Sequence, residues 1–264
     1  MSQKLLCVGC GEMGTAILSQ VPNGHFEITV CKPTPPSSEL KALIHRHITD
    51  HANAQDSYDV VFLGIKPQQF DEVSTWLPEI VSDNCLIVSI MAGVPLHKLK
   101  ARLNSENPIV RAMPNLAIAT GDSLTGLFTT DTLSQNDKNN VAALFGKDAR
   151  QLWLKDENAI DAYTALHGSG LAYYFLTIES LAAAGHHLGF TEDEAQKIAK
   201  QTCKDAAQLL LANPKLNAMA MRQKVTSKGG TTEAALDVLL GQLPPLYNEA
   251  VKTAYKRAQE LKAS

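Results

Sequence analysis

Residues 5–15 read LLCVGCGEMGT, a short apolar run that changes into three glycines spaced G-x-G-x-x-G. Residues 4–8 have the composition of a buried strand, and residues 13–20 continue as a helical pattern. A strand, a glycine turn and a helix in this order predict a dinucleotide site, with the pyrophosphate at the start of the helix. A turn that binds nothing is the alternative. The residues expected to contact the cofactor here are Gly9, Gly11, Glu12, Met13 and Gly14.

The second predicted strand, residues 27–31, ends without a carboxylate. Lys32 follows it, and the next carboxylate along the chain is Glu39. Sheets that bind NAD usually end this strand with Asp or Glu, which accepts a hydrogen bond from the ribose 2′-hydroxyl. A cation at this place favours a 2′-phosphate, so the sequence predicts NADPH, with NADH as the alternative. A Lys32 that only faces water is the competing interpretation.

Two further strand ends border the crevice expected in such a sheet. The segment VVFLGIKPQQ, residues 60–69, ends an apolar strand with a lysine and a proline. The segment SIMAGV, residues 89–94, ends the next strand with small residues that leave room for a bound group. Because the carboxyl ends of parallel strands lie beside the ligand, the cofactor-binding residues expected here are Gly64, Lys66, Pro67 and Ala92.

The pattern of the chain divides it into an α/β half and a helical half. Residues 1–155 alternate apolar runs with amphipathic stretches, as in a parallel sheet with crossover helices. The predicted strands are 4–8, 27–31, 59–65, 85–90, 109–112, 124–128 and 151–154. The predicted helices between them are 13–20, 37–46, 68–80, 95–104 and 134–145. Residues 156–264 show only helices, at 156–185, 191–212, 216–224, 232–240 and 244–262. The fold class expected is a doubly wound Rossmann sheet followed by an all-helical domain.

Composition limits the classes of partner. The chain has 264 residues, 45% of them apolar, and a net charge of −3, which gives no general attraction to nucleic acid or to an anionic membrane. No secretory signal pattern is visible, and we expect a cytoplasmic protein. Five cysteines do not indicate a disulfide framework. Cys7 and Cys10 form an isolated C-x-x-C, and we expect no metal site.

Four segments resemble one known family, the pyrroline-5-carboxylate reductases. VTSKGGTTEAALDVL, residues 225–239, resembles the family's V-T-S-P-G-G-T-T loop and the helix after it. Residues 166–202 are similar to its S-G-S-G-P-A-Y helix, residues 110–128 to its R-x-M-P-N-T-P segment, and residues 60–68 to its V-K-P-Q strand. The resemblance implies an N-terminal Rossmann domain, a helical dimerisation domain in a homo-oligomer of at least two chains, and NADPH-dependent reduction of pyrroline-5-carboxylate to proline.

Reduction of a cyclic imine needs a hydride at carbon, a proton at nitrogen and an anchor for the ring carboxylate. The loop glycines expose N–H groups at the start of a helix, which suits a carboxylate. The resemblance places the hydroxyl of Thr232 near the imine nitrogen, as the catalytic group. Helix capping by the two threonines is a compatible alternative. The substrate-binding residues implied are Val225, Ser227, Gly229, Gly230 and Thr231.

The chain departs from the family pattern at several positions: Lys32 for arginine, Leu116 and Ala117 for T-P, His167 for a small residue, Leu171 for proline and Lys228 for proline. Another ring imine therefore remains open as the substrate. A hydroxyacid dehydrogenase of related architecture would need a lysine in residues 159–184, which contain none. A non-catalytic nucleotide sensor is the third reading, and the intact loop 226–232 argues against it. For His167, a role in packing is favoured over a role as the general acid of catalysis.

Overall fold

The computed structural model describes residues 2–54, 57–147 and 150–263. Within those residues eight strands form one sheet: β1 Gln3–Val8, β2 Phe26–Cys31, β3 Arg46–Ile48, β4 Val60–Leu63, β5 Leu86–Ser89, β6 Ile109–Met113, β7 Thr125–Phe128 and β8 Gln151–Trp153. Their order across the sheet is β3-β2-β1-β4-β5-β6-β7-β8. The chain starts near the middle and winds outward in both directions, as in a doubly wound fold.

Helices cover both faces of this sheet. They are α1 Glu12–Leu18, α2 Ser38–Leu43, α3 Phe70–Ile80, α4 Leu96–Leu103, α5 Gln135–Phe145 and α6 Glu157–Tyr163. In β1, Leu5 and Cys7 join the core beneath α1, α2 and α5, whereas Leu6 and Val8 join the core beneath α3, α4 and α6. Successive side chains of a strand point to opposite faces. A strand covered on both faces needs an almost continuous apolar run, which is the pattern that made it predictable.

The seven predicted strands are confirmed, but one of them departs from the parallel pattern that the sequence indicated. Strand β7 runs antiparallel to β6, and β8 runs parallel to β7. Between β6 and β7 the chain forms only the 3-10 turn Leu116–Thr120. Without a crossover helix the chain returns beside the strand that it has just left, and the pair is antiparallel.

The predicted helix 37–46 is too long, and an eighth strand was missed. Helix α2 ends at Leu43, and β3 pairs with β2 at the sheet edge. Strand β3 contains only three residues, of which Ile48 alone is buried. Short, polar edge strands protect a sheet against unwanted pairing, and they carry almost no hydrophobic period to detect.

The rest of the described chain is helical, which confirms the predicted fold class. It contains α7 Gly170–His187, α8 Glu192–Leu211, α9 Ala218–Lys224 and α10 Thr231–Ala263. The long pattern 156–185 is divided into α6, a π-helical segment Thr164–Gly168 and α7. Residues 232–240 and 244–262 are helical as predicted, but the break expected between them is wrong, because α10 continues through Pro244 and Pro245. Each proline removes one backbone hydrogen bond without ending this helix.

By their internal contacts the residues form two compact units. The first comprises the chain up to Gly168 and from Tyr255 onward, and the second is Ser169–Ala254. The functional boundary predicted between residues 155 and 156 stays a prediction. Among the described residues, no helix combines the length and the apolar character needed to cross a membrane.

A buried ion pair fixes α6 to the sheet. Arg111 lies in the middle of β6 and is 2% exposed, and its Nη1 donates to Glu157 Oε1 at 2.7 Å. The same oxygen accepts the backbone N–H of Leu96, at the start of α4. One carboxylate therefore joins a strand and two helices on one face of the sheet. Removing one partner of such a pair leaves a buried charge without compensation.

We expect Glu157→Leu to lower the free energy of unfolding by about 3 kcal/mol, because the guanidinium of Arg111 stays buried and unpaired. The double variant Arg111→Met/Glu157→Leu should recover most of that loss. Urea unfolding followed by circular dichroism measures both values. Glu260→Leu, which breaks the exposed pair with Arg257, is the control and should cost about 0.5 kcal/mol or less. A double variant no more stable than Glu157→Leu would contradict this account.

Candidate active site

The glycines after β1 have two different roles. Gly9 has φ +69°, and a Cβ built on it would lie 2.5 Å from Cγ2 of Ile65. A Cβ on Gly14 would lie 2.7 Å from Sγ of Cys10. Gly11, by contrast, has no neighbouring atom within 4 Å of such a Cβ. Gly9 and Gly14 therefore serve the packing of the turn, whereas the backbone at Gly11 is open to a ligand, as the approach of a pyrophosphate requires.

A cavity of about 540 Å³ opens beside this turn. Its walls come from the glycine loop, the end of β2, the start of α2 and the 3-10 turn after β6. Its lining includes Gly11, Glu12, Thr15, Lys32, Ser37 and Glu39. The structure thus brings the predicted loop and the predicted lysine to one cavity. The size falls within the range of small-molecule sites.

The main chain of Lys32 is held firmly at the end of β2. Its N–H donates to the carbonyl of Ile48 at 3.0 Å, and its carbonyl lies 3.0 Å from Nε2 of His47, so the missed strand β3 fixes this position. Its Nζ donates to the carbonyl of Cys10 at 3.2 Å. The ammonium therefore lies against the glycine loop, where an anionic group of a dinucleotide would meet it.

The other predicted cofactor residues lie at the ends of β4 and β5. Gly64 donates its N–H to the carbonyl of Val8 at 3.0 Å, beside the glycine loop. Lys66 precedes a 3-10 turn that begins at Pro67, and both Lys66 and Ala92 are exposed. These residues do not line the cavity that contains Lys32. They occupy the carboxyl edge of neighbouring strands in the same sheet, which is where the sequence placed them.

The predicted substrate loop lies in the second unit, between α9 and α10. Val225 follows α9, and Thr226 Oγ1 donates to the carbonyl of Arg222 at 2.7 Å. The N–H of Gly230 donates to the carbonyl of Ser227 at 3.1 Å. Together these bonds close the loop into a compact turn directly before α10.

One loop amide already binds a carboxylate. The N–H of Gly229 donates to Oε2 of Glu233 at 2.6 Å. Glu233 lies in the first turn of α10 and reaches back over the loop. The amide of Gly229 is thus a donor that a carboxylate can reach, as a substrate carboxylate would require. Sequence reasoning had proposed the donor but not its internal partner.

Thr231 and Thr232 are the first two residues of α10, so Gly230 and not a threonine precedes the helix. Both side chains are exposed. Among the residues that the structure describes, the Thr232 hydroxyl has no hydrogen-bond partner. The alternative role of these threonines as helix caps is therefore not found among the described residues.

Comparison with known proteins decides the family. Residues 157–261 match the family model described as pyrroline-5-carboxylate reductase dimerisation, and residues 4–93 match the model described as NADP oxidoreductase coenzyme F420-dependent. A pyrroline-5-carboxylate reductase of Pasteurella multocida is 31% identical over 99% of this chain and 98% of its own length. The chain belongs to the pyrroline-5-carboxylate reductase family.

Solved structures of this family have the same architecture. The pyrroline-5-carboxylate reductase of Coxiella burnetii superposes with a TM-score of 0.86 at 32% identity, and 99% of each chain is covered. The Plasmodium falciparum pyrroline carboxylate reductase, solved with NADP bound, superposes with a TM-score of 0.85 at 23% identity, with 98% of each chain covered. The fold is therefore shared over the whole chain of this family member.

His167, which departs from the family pattern, is a packed residue. Its ring lies 5.1 Å from that of Tyr163, and its carbonyl accepts from Nδ2 of Asn115 at 3.2 Å. Burial lowers the pKa of His167, and a hydrogen bond to the backbone of Leu124 partly opposes this shift. The imidazole is consequently neutral near pH 7 and is a poor source of a proton.

The surroundings of the C-x-x-C in the glycine loop disfavour thiol chemistry. Cys7 and Cys10 are buried free thiols. Burial raises the pKa of both, and at Cys10 a hydrogen bond with Thr15 and the charge of Lys32 partly oppose the effect. A thiol must ionise to react or to bind metal. Within the described ranges no group of three or more His, Cys, Asp or Glu side chains could hold a metal ion.

The two glycine positions lead to opposite expectations. Gly9→Ala should lower the free energy of unfolding by about 2 kcal/mol, because a side chain at φ +69° is strained and meets Ile65. Gly11→Ala should change it by about 0.5 kcal/mol or less, yet weaken NADPH binding more than roughly tenfold, because the methyl group fills the space beside the open backbone. Urea unfolding and fluorescence titration measure the two effects. Parental NADPH affinity in Gly11→Ala would exclude the loop as the phosphate cradle.

Proposed function

We propose that this chain reduces L-1-pyrroline-5-carboxylate to L-proline with NADPH, the last step of proline biosynthesis. The relatives that cover its whole length carry the name of this activity. The observation that carries the proposal is the loop amide of Gly229, which donates to the carboxylate of Glu233 in the first turn of α10. A reductase of this substrate must anchor a ring carboxylate beside a reducible C=N bond, and the loop offers the donor.

The cofactor residues fit a dinucleotide with a 2′-phosphate. The open backbone at Gly11 leaves room for the pyrophosphate, and the ammonium of Lys32 lies at the adjacent wall of the same cavity. When bound, NADPH supplies the hydride that reduces the imine carbon. NADH remains an alternative hydride donor, because its ribose 2′-hydroxyl is uncharged and needs no cation beside it. Glu12, Met13, Gly64, Lys66, Pro67 and Ala92 are the further residues proposed to border the cofactor.

In the proposed mechanism the substrate carboxylate takes the place of Glu233 on the loop. The N–H of Gly229 then donates to the substrate. The N–H groups of Thr231 and Thr232, in the first turn of α10, support it, because they have no hydrogen-bond partner among the described residues. Val225, Ser227 and Gly230 shape the loop. The hydroxyl of Thr232 donates a hydrogen bond to the ring nitrogen and passes a proton to it, and solvent water returns a proton to the exposed hydroxyl. A hydroxyl is a weak acid, so its main contribution is to orient the imine for attack.

The two functions are proposed to divide near residues 155 and 156. Residues 1–155 bind the dinucleotide, whereas residues 156–264 bind the substrate and form a homodimer or a larger assembly. A dimerisation family model covers most of the second part. The cytoplasmic location expected from the sequence stays a prediction.

The direct test mixes the purified full-length chain with pyrroline-5-carboxylate and NADPH. Oxidation of the cofactor, followed by its absorbance, should coincide with the appearance of proline, measured by chromatography. A second ring imine of different size, without a carboxylate, is the control and should react far more slowly. Cofactor binding without proline formation would favour the nucleotide-sensor alternative and overturn the proposal.

Thr232→Val removes the hydroxyl and keeps the volume of the side chain. If the hydroxyl bonds the ring more strongly in the transition state than in the bound substrate, turnover should fall more than substrate affinity. A hydrogen bond of this kind contributes roughly 1.5–3 kcal/mol, or about 10- to 150-fold in rate. NADPH affinity should barely change. Thr202→Val, an exposed threonine on α8, is the control. Turnover of Thr232→Val within about twofold of the parent would remove the hydroxyl from the mechanism.

The helical unit should form an obligate dimer. Large apolar side chains of α7 and α10 are exposed in the single chain, among them Phe175 and Leu246 at 64% and 59%. Large apolar side chains exposed in such number mark an interface. Phe175→Glu/Leu246→Glu should give a monomer in light scattering at micromolar concentration and abolish turnover. Leu152→Glu, an exposed apolar residue of the first unit, should keep the dimer. A folded, active parental monomer would contradict the prediction.

A further inference from the structure

The cavity beside the glycine loop contains opposite charges. Among its described lining residues, Lys32 is the cation, and Glu12 and Glu39 carry carboxylates. The cavity is thus not simply basic, as recognition of a 2′-phosphate alone would require. Glu39 is the first carboxylate after β2 and lies seven positions beyond Lys32 in the sequence. In the folded chain both residues line the same cavity.

The start of α2 presents Glu39 to this cavity. Ser37 precedes the helix, and its Oγ accepts the N–H of Leu40 at 3.2 Å, which fixes the first turn. Leu40 is 1% exposed and anchors the helix in the core beneath the sheet. Glu39 lies between these two fixed residues and is itself exposed. Glu39 therefore lines the cavity from a well-defined backbone position.

Lys32 and Glu39 do not form an ion pair with each other in the described part of the chain. Nζ of Lys32 donates to the carbonyl of Cys10. In the described part of the chain, neither Lys32 nor Glu39 belongs to an ion pair. The cation lies against the glycine loop, and the carboxylate lies on α2. Each group is consequently available to a ligand that enters the cavity.

The two groups favour different cofactors. A phosphate monoester carries a charge of about −1.5 to −2 at pH 7, which a lysine attracts and a nearby carboxylate repels. A ribose 2′-hydroxyl has no charge and donates a hydrogen bond to a carboxylate, as in NAD-binding sheets. We propose that Lys32 and Glu39 divide the recognition of the ribose 2′ position, so that the chain binds NADPH through the lysine and NADH through the carboxylate. This rests on the proposed function, which places a dinucleotide in the cavity.

The test is direct binding of NADPH and of NADH to the full-length chain, without substrate, by fluorescence titration. Glu39→Gln keeps the size of the side chain and removes its charge. It should tighten NADPH about fivefold, because the repulsion is lost. It should weaken NADH about tenfold, because a charged acceptor becomes a neutral one. Lys32→Gln should act in the opposite sense, weakening NADPH about tenfold and leaving NADH within about twofold.

Glu72→Gln is the matched control. Glu72 also lies in the first turn of a helix, α3, which packs on the opposite face of the sheet, and it does not line the cavity. The control should leave both affinities unchanged. Glu39→Ser provides a second variant without charge, and urea unfolding should show that all variants are folded.

The outcomes separate the two proposals. If the parent binds both dinucleotides and Glu39→Gln changes their affinities equally, or changes neither, the division of recognition is overturned and the proposed reductase stands. If the parent binds neither dinucleotide, the proposed function fails and the inference fails with it. Opposite shifts for NADPH and NADH in Glu39→Gln, absent from Glu72→Gln, support the inference.

Discussion

The close contact between the backbone turns that follow β1 and β4 is the constraint on which the cavity beside the glycine loop depends. A Cβ on Gly64 would lie 2.9 Å from the carbonyl oxygen of Gly9, and a Cβ on Gly9 would meet Ile65. Only glycine permits both approaches. Because these turns lie so close, the glycine loop cannot relax toward the sheet, and the backbone at Gly11 stays turned to the open cavity. The packing of two central strands therefore determines where a ligand has access.

The C-terminal end of α10 is held to α6 by a buried carboxylate. Asp161, which is 2% exposed, faces Nζ of Lys262 at 3.6 Å, and the same Nζ donates to Oδ1 of Asn158 at 3.2 Å. The last turns of α10 therefore belong to the first unit, although the helix begins with Thr231 in the second. Gly93 admits the backbone of Leu261 where a Cβ would clash. One continuous helix thus connects the loop proposed to bind substrate to a helix end that packs in the first unit.

The sequence predicted most of the sheet, because strands such as β1 and β4 are apolar on both faces and are bounded by breakers. It could not predict β3, since Ile48 is its only buried side chain, or the reversal of β7, since direction depends on the path between strands and not on composition. The glycine loop and Lys32 were predictable from spacing. The presence of Glu39 and that lysine in one cavity, and the hydrogen bond between Glu233 and Gly229, depended on folded geometry. Arg111 left a signal that could have been used: a charge inside an apolar strand.

The contact between Glu233 and Gly229 also limits how the proposed enzyme can gain substrate affinity. The loop amide is satisfied before substrate arrives, so binding exchanges one carboxylate for another and yields little net hydrogen-bond energy from that donor. The exchange does keep the loop folded around an anion, so little ordering is required on binding. Affinity and rate must then come from groups without an internal partner, and the hydroxyl of Thr232 is such a group in the described structure. An interaction that becomes strong only as charge develops on the ring lowers the barrier without deepening the bound state.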